Sequence, residues 1–334
     1  MEIDPAPPKD PAAQLAAARD ALRAEIAKCV IGQKEAADSL LLTLLCNGHA
    51  LLLGVPGVGK TLLSAALARA LRLDFSRIQF TPDLMPADIT GAEVLEEDGS
   101  GSGKFRRTMM PGPVFTNILL ADEINRTPPK TQAALLQAMQ EREVTIGRET
   151  HRLQPPFLVL ATQNPIEMEG TYPLPEAQLD RFFTCIRITY PTPEEELTIA
   201  TTGPADSLES VAPVLAPGEI LSLQRAVKSV PIAGDVARYA VRLVGATRSG
   251  NAPEGVGDFI ECGASPRGSQ ALVLGGQARA LMHGRAHVDF ADIKALAPEL
   301  LRHRLVLNFR ARAEGVTADD LIARLLEKID PEGK

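Results

Sequence analysis

The stretch Gly54-Val-Pro-Gly-Val-Gly-Lys-Thr61 constrains the fold of this chain more than any other feature of its sequence. It follows the apolar run His49–Leu53 and precedes Lys60–Leu71, a segment rich in helix formers. A glycine-rich loop between a strand and a helix presents backbone N–H groups to phosphate oxygens, its lysine reaches the β- and γ-phosphates, and its hydroxyl residue binds Mg²⁺. We therefore expect ATP and Mg²⁺ as cofactors, with Thr61 as a metal ligand and with nucleotide-binding residues Gly54, Val55, Pro56, Gly57, Val58, Gly59, Lys60, Thr61 and Leu62.

Short apolar runs alternate with helix-length segments through roughly the first 190 residues. The runs are mostly apolar on both faces, which is typical of strands buried in a parallel sheet. Before them, residues 12–47 are rich in Ala and Leu and predict two helices with a break at Val30–Gln33. The expected fold class is α/β, a five-stranded parallel sheet built around the phosphate-binding P-loop Gly54–Thr61. The predicted strands are His49–Leu53, Phe75–Phe80, Asn117–Ala121, Phe157–Thr162 and Phe182–Ile188.

Two segments interrupt this alternation. Glu93–Arg107 contains the turn-like sequence Asp98–Gly103 between two strand-like pieces, and Glu143–Leu153 alternates apolar and polar residues up to Gly147-Arg148. Glycine at the first position of a two-residue loop favours a type II′ hairpin turn. Both segments predict β-hairpins inserted into the connections of the sheet, with irregular loops as the alternative.

The length of 334 residues fits two domains. Residues 1–11 are rich in proline and predict a disordered lead-in, residues 12–195 form the expected nucleotide-binding domain, and residues 196–218 read as a connector. Residues 219–334 predict a small all-α lid domain, because no segment of it has a convincing strand pattern. Its expected helices are Glu219–Val230, Ala233–Ser249, Ser269–His283 and Ala291–Leu307.

Polar residues follow two of the predicted strands where each strand ends. Asp122 and Glu123 come directly after Ile118–Ala121, and Asn164 follows the run that ends at Thr162. In a protein with a P-loop, Asp122 is expected in the Mg²⁺ shell and Glu123 is expected to polarise the attacking water. Because parallel strands end at the same edge of a sheet, we expect Asn164 to lie beside the P-loop, where its amide can orient the attacking water. The alternative is that Asn164-Pro165 only starts a turn, since Asn-Pro is a common turn initiator.

Two arginines lie near predicted element ends. Judged from its local sequence alone, Arg181 in Glu176–Phe182 is expected to pair with a nearby carboxylate. Ser265 and Pro266 are typical of an N-cap and a first helical residue, which places Arg267 in the first turn of a helix. A cation is disfavoured there by the helix dipole, so we expect Arg267 to face an anion.

Composition argues against several classes of protein. The formal charge is −7 and no basic stripe is visible, so we expect no nucleic acid partner. The four cysteines form no CxxC pair, which argues against a zinc site. The N-terminal sequence lacks the apolar core of a secretory signal, and Leu40–Leu53 is too short to span a bilayer. We expect a cytoplasmic protein without direct membrane insertion.

The most distinctive stretches of the sequence are Gln79–Gly91, Asp122–Arg126, Pro128–Gln132, Gln163–Pro165, Glu176–Phe182, Gly263–Arg267 and Leu300–Leu305. Together they resemble the MoxR branch of the AAA+ ATPases over about residues 15–315. The resemblance implies a homo-oligomer, as a hexameric ring or in an equilibrium towards one, with ATP at the subunit interfaces.

The resemblance also implies a role for each motif. Lys60 and Thr61 match Walker A, Asp122 and Glu123 match Walker B, and Asn164 matches sensor 1. Arg181 matches an arginine finger that acts on the neighbour's ATP, and Arg267 matches sensor 2. Ile31, Gly32 and Gln33 would lie near the adenine, and both hairpins would face the central pore. Family members are thought to be chaperones that mature other protein complexes, often with von Willebrand factor A partners.

Three other functions remain open on the sequence. A DNA-translocating AAA+ ring carries the same insertions, but the acidic charge argues against it. The ATPase subunit of magnesium chelatase has overlapping motifs. A nucleotide-switched scaffold that binds ATP without turnover would not need Glu123, Asn164 and Arg181 together.

Overall fold

The computed structural model describes residues 10–97, 105–164, 170–202, 208–248 and 250–331. The strands are β1 (Ala50–Leu53), β2 (Phe75–Gln79), β3 (Gly91–Glu97), β4 (Phe105–Pro111), β5 (Ile118–Asp122), β6 (Glu143–Ile146), β7 (Glu149–Arg152), β8 (Leu158–Gln163), β9 (Thr184–Arg187), β10 (Ile260–Cys262) and β11 (Val306–Leu307). The α-helices are α1 (Pro11–Ile26), α2 (Lys34–Leu45), α3 (Lys60–Ala70), α4 (Pro86–Thr90), α5 (Pro129–Glu141), α6 (Glu176–Leu179), α7 (Pro193–Thr202), α8 (Pro217–Ser229), α9 (Gly234–Gly245), α10 (Pro266–Met282), α11 (Phe290–Leu301), α12 (Phe309–Glu314) and α13 (Ala318–Lys328).

A five-stranded parallel sheet forms the centre of the fold, with strand order β2-β5-β8-β1-β9. Its inner strands alternate between two apolar layers. Leu52, Leu120 and Leu160 join the layer that contains α1, α2 and α3. Leu51, Leu119 and Val159 join the layer that contains α5. Burial on both faces explains why the predicted runs are continuously apolar. The parallel pairing of these strands confirms the predicted five-stranded sheet.

The first two helices also lie where the sequence predicts them. The Asp10 side chain caps α1 by accepting a hydrogen bond from the Ala13 backbone N–H at 3.0 Å. The break between α1 and α2 contains Gly32, whose φ of +83° ends any continuous helix. The rest of the predicted lead-in, residues 1–9, lies outside the described residues.

Both predicted hairpins are present as antiparallel pairs, β3 with β4 and β6 with β7. Gly147 has φ +61° and Arg148 is not among the residues of positive φ, a combination that fits the type II′ turn. The predicted turn Asp98–Gly103 lies outside the described residues. The two hairpins are neighbours, since a Cβ at Gly147 would lie 2.3 Å from Oε1 of Glu93.

The lid is helical as predicted, but its last predicted helix is shorter than expected. In place of Ala291–Leu307, α11 ends at Leu301, and β11 pairs antiparallel with β10. The chain turns here because the Arg304 side chain donates hydrogen bonds to the carbonyl oxygens of Leu300 and Phe182. The sequence does not indicate these strands, since each has only two or three residues. The domain boundaries stay a prediction, because α7 crosses residue 195 and residues 203–207 lie outside the described residues.

Candidate functional site

The glycine-rich loop connects the end of β1 to the start of α3, as predicted. Gly59 has φ +82°, a conformation that residues with a Cβ rarely adopt. Gly54 has no room for a side chain, because a Cβ there would lie 2.7 Å from the Ile188 carbonyl oxygen. The first turn of α3, which includes Lys60 and Thr61, has backbone N–H groups without intrahelical partners. Such N–H groups at a helix N-terminus bind phosphate.

The Lys60 ammonium is half-buried inside this loop. Its Nζ donates a hydrogen bond to the Gly54 carbonyl oxygen at 2.6 Å. Burial lowers the pKa of Lys60, while the negative charges of Asp122 and Glu123 act in the opposite direction. The carboxylates that follow β5 are therefore close enough to the loop for their charge to be felt at the lysine, as the predicted site requires.

Asp122 and Glu123 are connected to the neighbouring strand β8 through one buried hydroxyl. Thr162 Oγ1 donates to Asp122 Oδ1 at 2.6 Å and accepts the Glu123 backbone N–H at 2.8 Å. Glu123 has φ +56°, an uncommon conformation for a residue that is not glycine. Strained backbone of this kind is concentrated at functional sites. The turn and the hydroxyl together fix the directions of the two carboxylates.

Three further side chains, whose roles no sequence motif indicated, contact these carboxylates. Arg77 Nη2 lies 2.7 Å from Asp122 Oδ2, and Arg126 Nε lies 2.9 Å from Glu123 Oε2. Gln79 Nε2 donates to Glu123 Oε2 at 2.9 Å. Arg77 and Gln79 occupy alternate positions of β2 and so extend from the same face of this edge strand. Long polar side chains two residues apart in an otherwise predicted strand, here Arg77 and Gln79, are the sequence feature that could have indicated this cluster.

Asn164 lies directly after β8, which is hydrogen-bonded to both β1 and β5. Gln163, the residue before it, pairs with Leu53 at the end of β1. Asn164 is buried, with 7% of its surface exposed. The structure therefore places the P-loop, the Asp122–Glu123 pair and Asn164 at the carboxyl edge of three adjacent strands, as the sequence predicts.

A cavity of about 270 Å³ adjoins the P-loop on the side of the α1–α2 break. Ile31 and Gln33, for which the family resemblance implies a position near the adenine, line it together with Gly57, Val58, Gly59 and Leu62. Pro191 and Ile199 also line the cavity, and nothing in their local sequence indicates it. Gly32 lies instead in an adjoining cavity of about 260 Å³, where a Cβ would lie 2.6 Å from Oε2 of Glu195.

The two predicted arginines lie together at the opposite edge of the sheet. Phe183, two residues after Arg181, donates its N–H to the His49 carbonyl oxygen at 2.8 Å, at the amino end of β1. A strand rises ~3.3 Å per residue, so His49 and the start of the P-loop are on the order of 15 Å apart. Arg267 lies in the first turn of α10, as predicted, and its Nη1 is 3.8 Å from Asp180 Oδ2.

Among the residues that the structure describes, Arg181 does not make the ion pair that its local sequence suggests. Its Nη1 donates to the Leu136 carbonyl oxygen at 3.1 Å. Asp180, the adjacent carboxylate, pairs instead with Arg304 Nε at 2.9 Å and accepts the Ser265 hydroxyl at 2.9 Å. Arg181 and Arg267 line one cavity with Asn47, Gly48 and His49, at the amino end of β1 and not at the end that carries the P-loop.

Comparisons with known proteins agree with this geometry. Residues 49–184 match the model of the ATPase family associated with various cellular activities (AAA), and residues 255–325 match that of the AAA lid domain. The chain is 43% identical to the Chaperone MoxR1 of Mycobacterium tuberculosis, over 91% of this chain and 80% of that protein. It is also 43% identical to the uncharacterised protein YeaC of Bacillus subtilis, over 91% of this chain and 92% of that protein.

The chain belongs to the MoxR family of AAA+ ATPases. A crystal structure of a candidate ATPase from Cytophaga hutchinsonii has the same fold as this MoxR-family chain, with a TM-score of 0.84 and 40% identity. The similarity covers 95% of this chain and 97% of that one. Family membership implies nucleotide binding, and AAA+ proteins typically form oligomers. Within the described ranges, no helix is both long enough and apolar enough to cross a membrane.

Proposed function

We propose that this chain hydrolyses ATP and that it acts as a MoxR-type chaperone, which uses the hydrolysis to mature or remodel partner proteins. One observation carries the ATPase proposal: the P-loop, the Asp122–Glu123 pair and Asn164 meet at one edge of the sheet. Hydrolysis needs phosphate binding, a metal ligand, a base and a group that orients water, and this edge provides a residue for each.

The residues at this edge have the chemistry for Mg²⁺ and for the attacking water. Mg²⁺ prefers oxygen ligands and usually keeps several waters and substrate phosphates, so the Thr61 hydroxyl and the Asp122 carboxylate would suffice. When bound, the metal neutralises negative charge on the phosphates. Glu123 would accept the proton of the attacking water, and the Asn164 amide would hold that water in line. The cavity beside Ile31 and Gln33 would take the adenine.

Lys60→Ala tests the nucleotide site directly. The β- and γ-phosphates lose their fixed cation, so we expect ATP affinity to fall by ~10–100-fold, the range for a hydrogen bond to a charged group. Titration with a fluorescent ATP analogue measures the change. Lys228→Ala is the matched control, because it removes an exposed lysine of α8, far along the chain from the P-loop. Unchanged affinity in the Lys60 variant would count against the site.

The positions of Arg181 and Arg267 support a ring. Both lie at the edge of the sheet remote from their own P-loop, so a nucleotide that they contact must belong to another subunit. An arginine inserted into a neighbour's site stabilises the charge that develops on the transferred phosphoryl group. We propose a hexameric homo-oligomer in which Arg181 and Arg267 both act in trans.

The proposed clients are proteins, and von Willebrand factor A domain proteins are the partner class implied by the family resemblance. Two observations support a client surface on the hairpins. The hairpins lie side by side, with Gly147 against Glu93. The β3–β4 hairpin also exposes large apolar side chains, with Leu95 at 67% and Phe105 at 63% exposure. Exposed apolar side chains of this kind are available to bind another protein.

Shortening the β6–β7 hairpin around Gly147 and Arg148 tests this surface. The tip belongs to the β6–β7 pair and not to the five-stranded sheet whose strand ends carry the phosphate motifs, so basal ATPase activity should be unchanged, while client capture and maturation should be impaired. Co-purification of clients with an ATP-trapped Glu123→Gln protein, with and without the tip, measures the effect. Arg312→Glu, a charge reversal at an exposed lid residue, is the control. Loss of ATPase activity with normal client capture would contradict the assignment.

A further inference from the structure

Four arginines line one cavity of about 480 Å³ at the amino edge of the sheet, between the end of α5, the segment before β1 and the lid helix α10. The four are Arg142, Arg181, Arg267 and Arg304, and we refer to the cavity as the arginine cleft. Asp180 is the one carboxylate among the described residues that line it. His49 adds no charge, because burial lowers its pKa to about 3. The cleft therefore has three uncompensated positive charges at neutral pH.

The single carboxylate is already used. Asp180 Oδ1 accepts Arg304 Nε at 2.9 Å, and Asp180 Oδ2 accepts the Ser265 hydroxyl at 2.9 Å. The Arg142 guanidinium donates from Nη2 to the Asn47 carbonyl oxygen at 2.6 Å and from Nη1 to the Phe157 carbonyl oxygen, and it lies over the Phe157 ring, 5.6 Å from the ring centroid. Among the side chains that the structure describes, no carboxylate lies within ion-pair distance of Arg142.

Arg142 occupies an uncommon backbone position. It follows α5 with φ +58° and ψ +25°, a conformation that glycine usually supplies at a helix end. Burial lowers the pKa of Arg142 to about 10, so the guanidinium has lost hydration and still carries its charge at neutral pH. The carbonyl oxygens and the Phe157 ring that contact this guanidinium carry no net charge, so its positive charge is balanced by no carboxylate among the described residues. A binding partner that supplies negative charge would compensate this charge.

We propose that Arg142 binds the phosphates of the neighbouring subunit's nucleotide, as a third cation beside Arg181 and Arg267. This role rests on the proposed ATPase ring. A nucleoside triphosphate supplies several negative charges, which matches the excess charge of the cleft, and guanidinium groups bind phosphate oxygens in a bidentate manner. The neutral amides of Gln140 and Gln270 line the same cleft and could donate further hydrogen bonds.

The position of Arg142 also connects the cleft to the β6–β7 hairpin. Glu143, the next residue, is the first of β6, and the Arg142 carbonyl oxygen accepts the Leu153 N–H at 2.9 Å just after β7. A shift of the Arg142 backbone towards the neighbour's phosphates would move both ends of this hairpin. Arg142 would therefore transmit the nucleotide state of one subunit to the proposed client surface of the next.

Neutral and charged replacements separate this role from a structural one. If the charge binds phosphate, Arg142→Gln should lower ATPase activity by ~10–100-fold, while Arg142→Lys should retain a substantial part of it. Arg69→Gln is the matched control, because Arg69 also donates to two backbone carbonyls, of Val211 and Glu209. It should hydrolyse ATP like the wild type. Equal losses in the Gln and Lys variants, with equally lowered melting temperatures, would show that Arg142 is only an anchor and would overturn the proposal.

Mixing variants tests whether Arg142 acts across the interface. Arg142→Gln subunits mixed with Lys60→Ala subunits should regain activity, because the intact Arg142 of a Lys60→Ala neighbour completes the site. If Arg181→Ala is rescued by the same partner and Arg142→Gln is not, Arg142 acts within its own chain and the proposal fails while the ring stands. If neither is rescued although mixed assemblies form, the trans arrangement fails and this proposal fails with it.

The coupling to the hairpin has a readout independent of turnover. In a Glu123→Gln background, ATP should change the amide hydrogen exchange of residues 143–153, and adding Arg142→Gln should abolish that change while ATP stays bound. An unchanged ATP response in the double variant would overturn the proposed transmission.

Discussion

We expect Glu123→Gln to bind ATP normally and to hydrolyse it ~10²–10⁴-fold more slowly, the range lost when a general base is removed. The amide has nearly the same shape as the carboxylate but cannot accept the proton of the attacking water. Asp122 keeps its hydrogen bond from Thr162, so the proposed metal ligand is undisturbed. Single-turnover hydrolysis measured together with ATP affinity separates loss of chemistry from loss of binding.

The control for this variant is Glu254→Gln, which makes the same substitution at an exposed lid residue and should leave hydrolysis unchanged. In the wild type, Arg126 Nε lies 2.9 Å from Glu123 Oε2, and the Glu123 variant loses this ion pair. The free energy of unfolding of the variant should therefore be compared with that of the wild type by denaturant titration. An exposed pair of this kind contributes only about 0–1 kcal/mol. If Glu123→Gln turned ATP over at nearly the wild-type rate, another residue would have to be the base.

The sheet and the P-loop could be predicted because their signals are local. The run that ends at Leu53 is apolar on both faces, which a strand buried in a parallel sheet requires. The backbone has a positive φ at Gly59, directly before a helix, and at Gly147, at a hairpin tip, and glycine adopts this conformation readily. In each case the residue type follows from the conformation of its own segment, so one short stretch of sequence is enough.

The contacts around the carboxylates could not be predicted in the same way. Gln79 meets Glu123 because β2 pairs with β5, and Thr162 meets Asp122 because β8 lies on the other side of β5. The strand order depends on the tertiary packing of segments that are 40 and 44 residues apart in these two contacts, so no local sequence pattern predicts it. The same limit applies to Arg267, whose first-turn position was predictable but whose neighbour, Asp180, belongs to another domain.

Arg181→Ala should have the largest effect on turnover, a loss of ~10³–10⁵-fold, which is the range for an inserted arginine finger. ATP affinity should stay close to that of the wild type, because Arg181 lies at the edge of the sheet opposite its own P-loop. Its guanidinium donates to the Leu136 carbonyl oxygen, and it makes no ion pair with any carboxylate in the described parts of the chain. That leaves its charge available to a neighbour. Arg69→Gln again serves as the matched arginine control.

Mixing provides the decisive measurement. We expect Lys60→Ala protein to be inactive, because its ATP affinity is lowered and the γ-phosphate lacks its fixed cation, but it retains an intact Arg181. In a mixed ring, an Arg181→Ala subunit with bound ATP can receive the arginine of a Lys60→Ala neighbour. Activity should partly return, and it should rise with protein concentration as rings assemble. If mixed assemblies form and activity stays absent, Arg181 acts within its own chain or only supports the fold, and the ring mechanism is wrong at its central step.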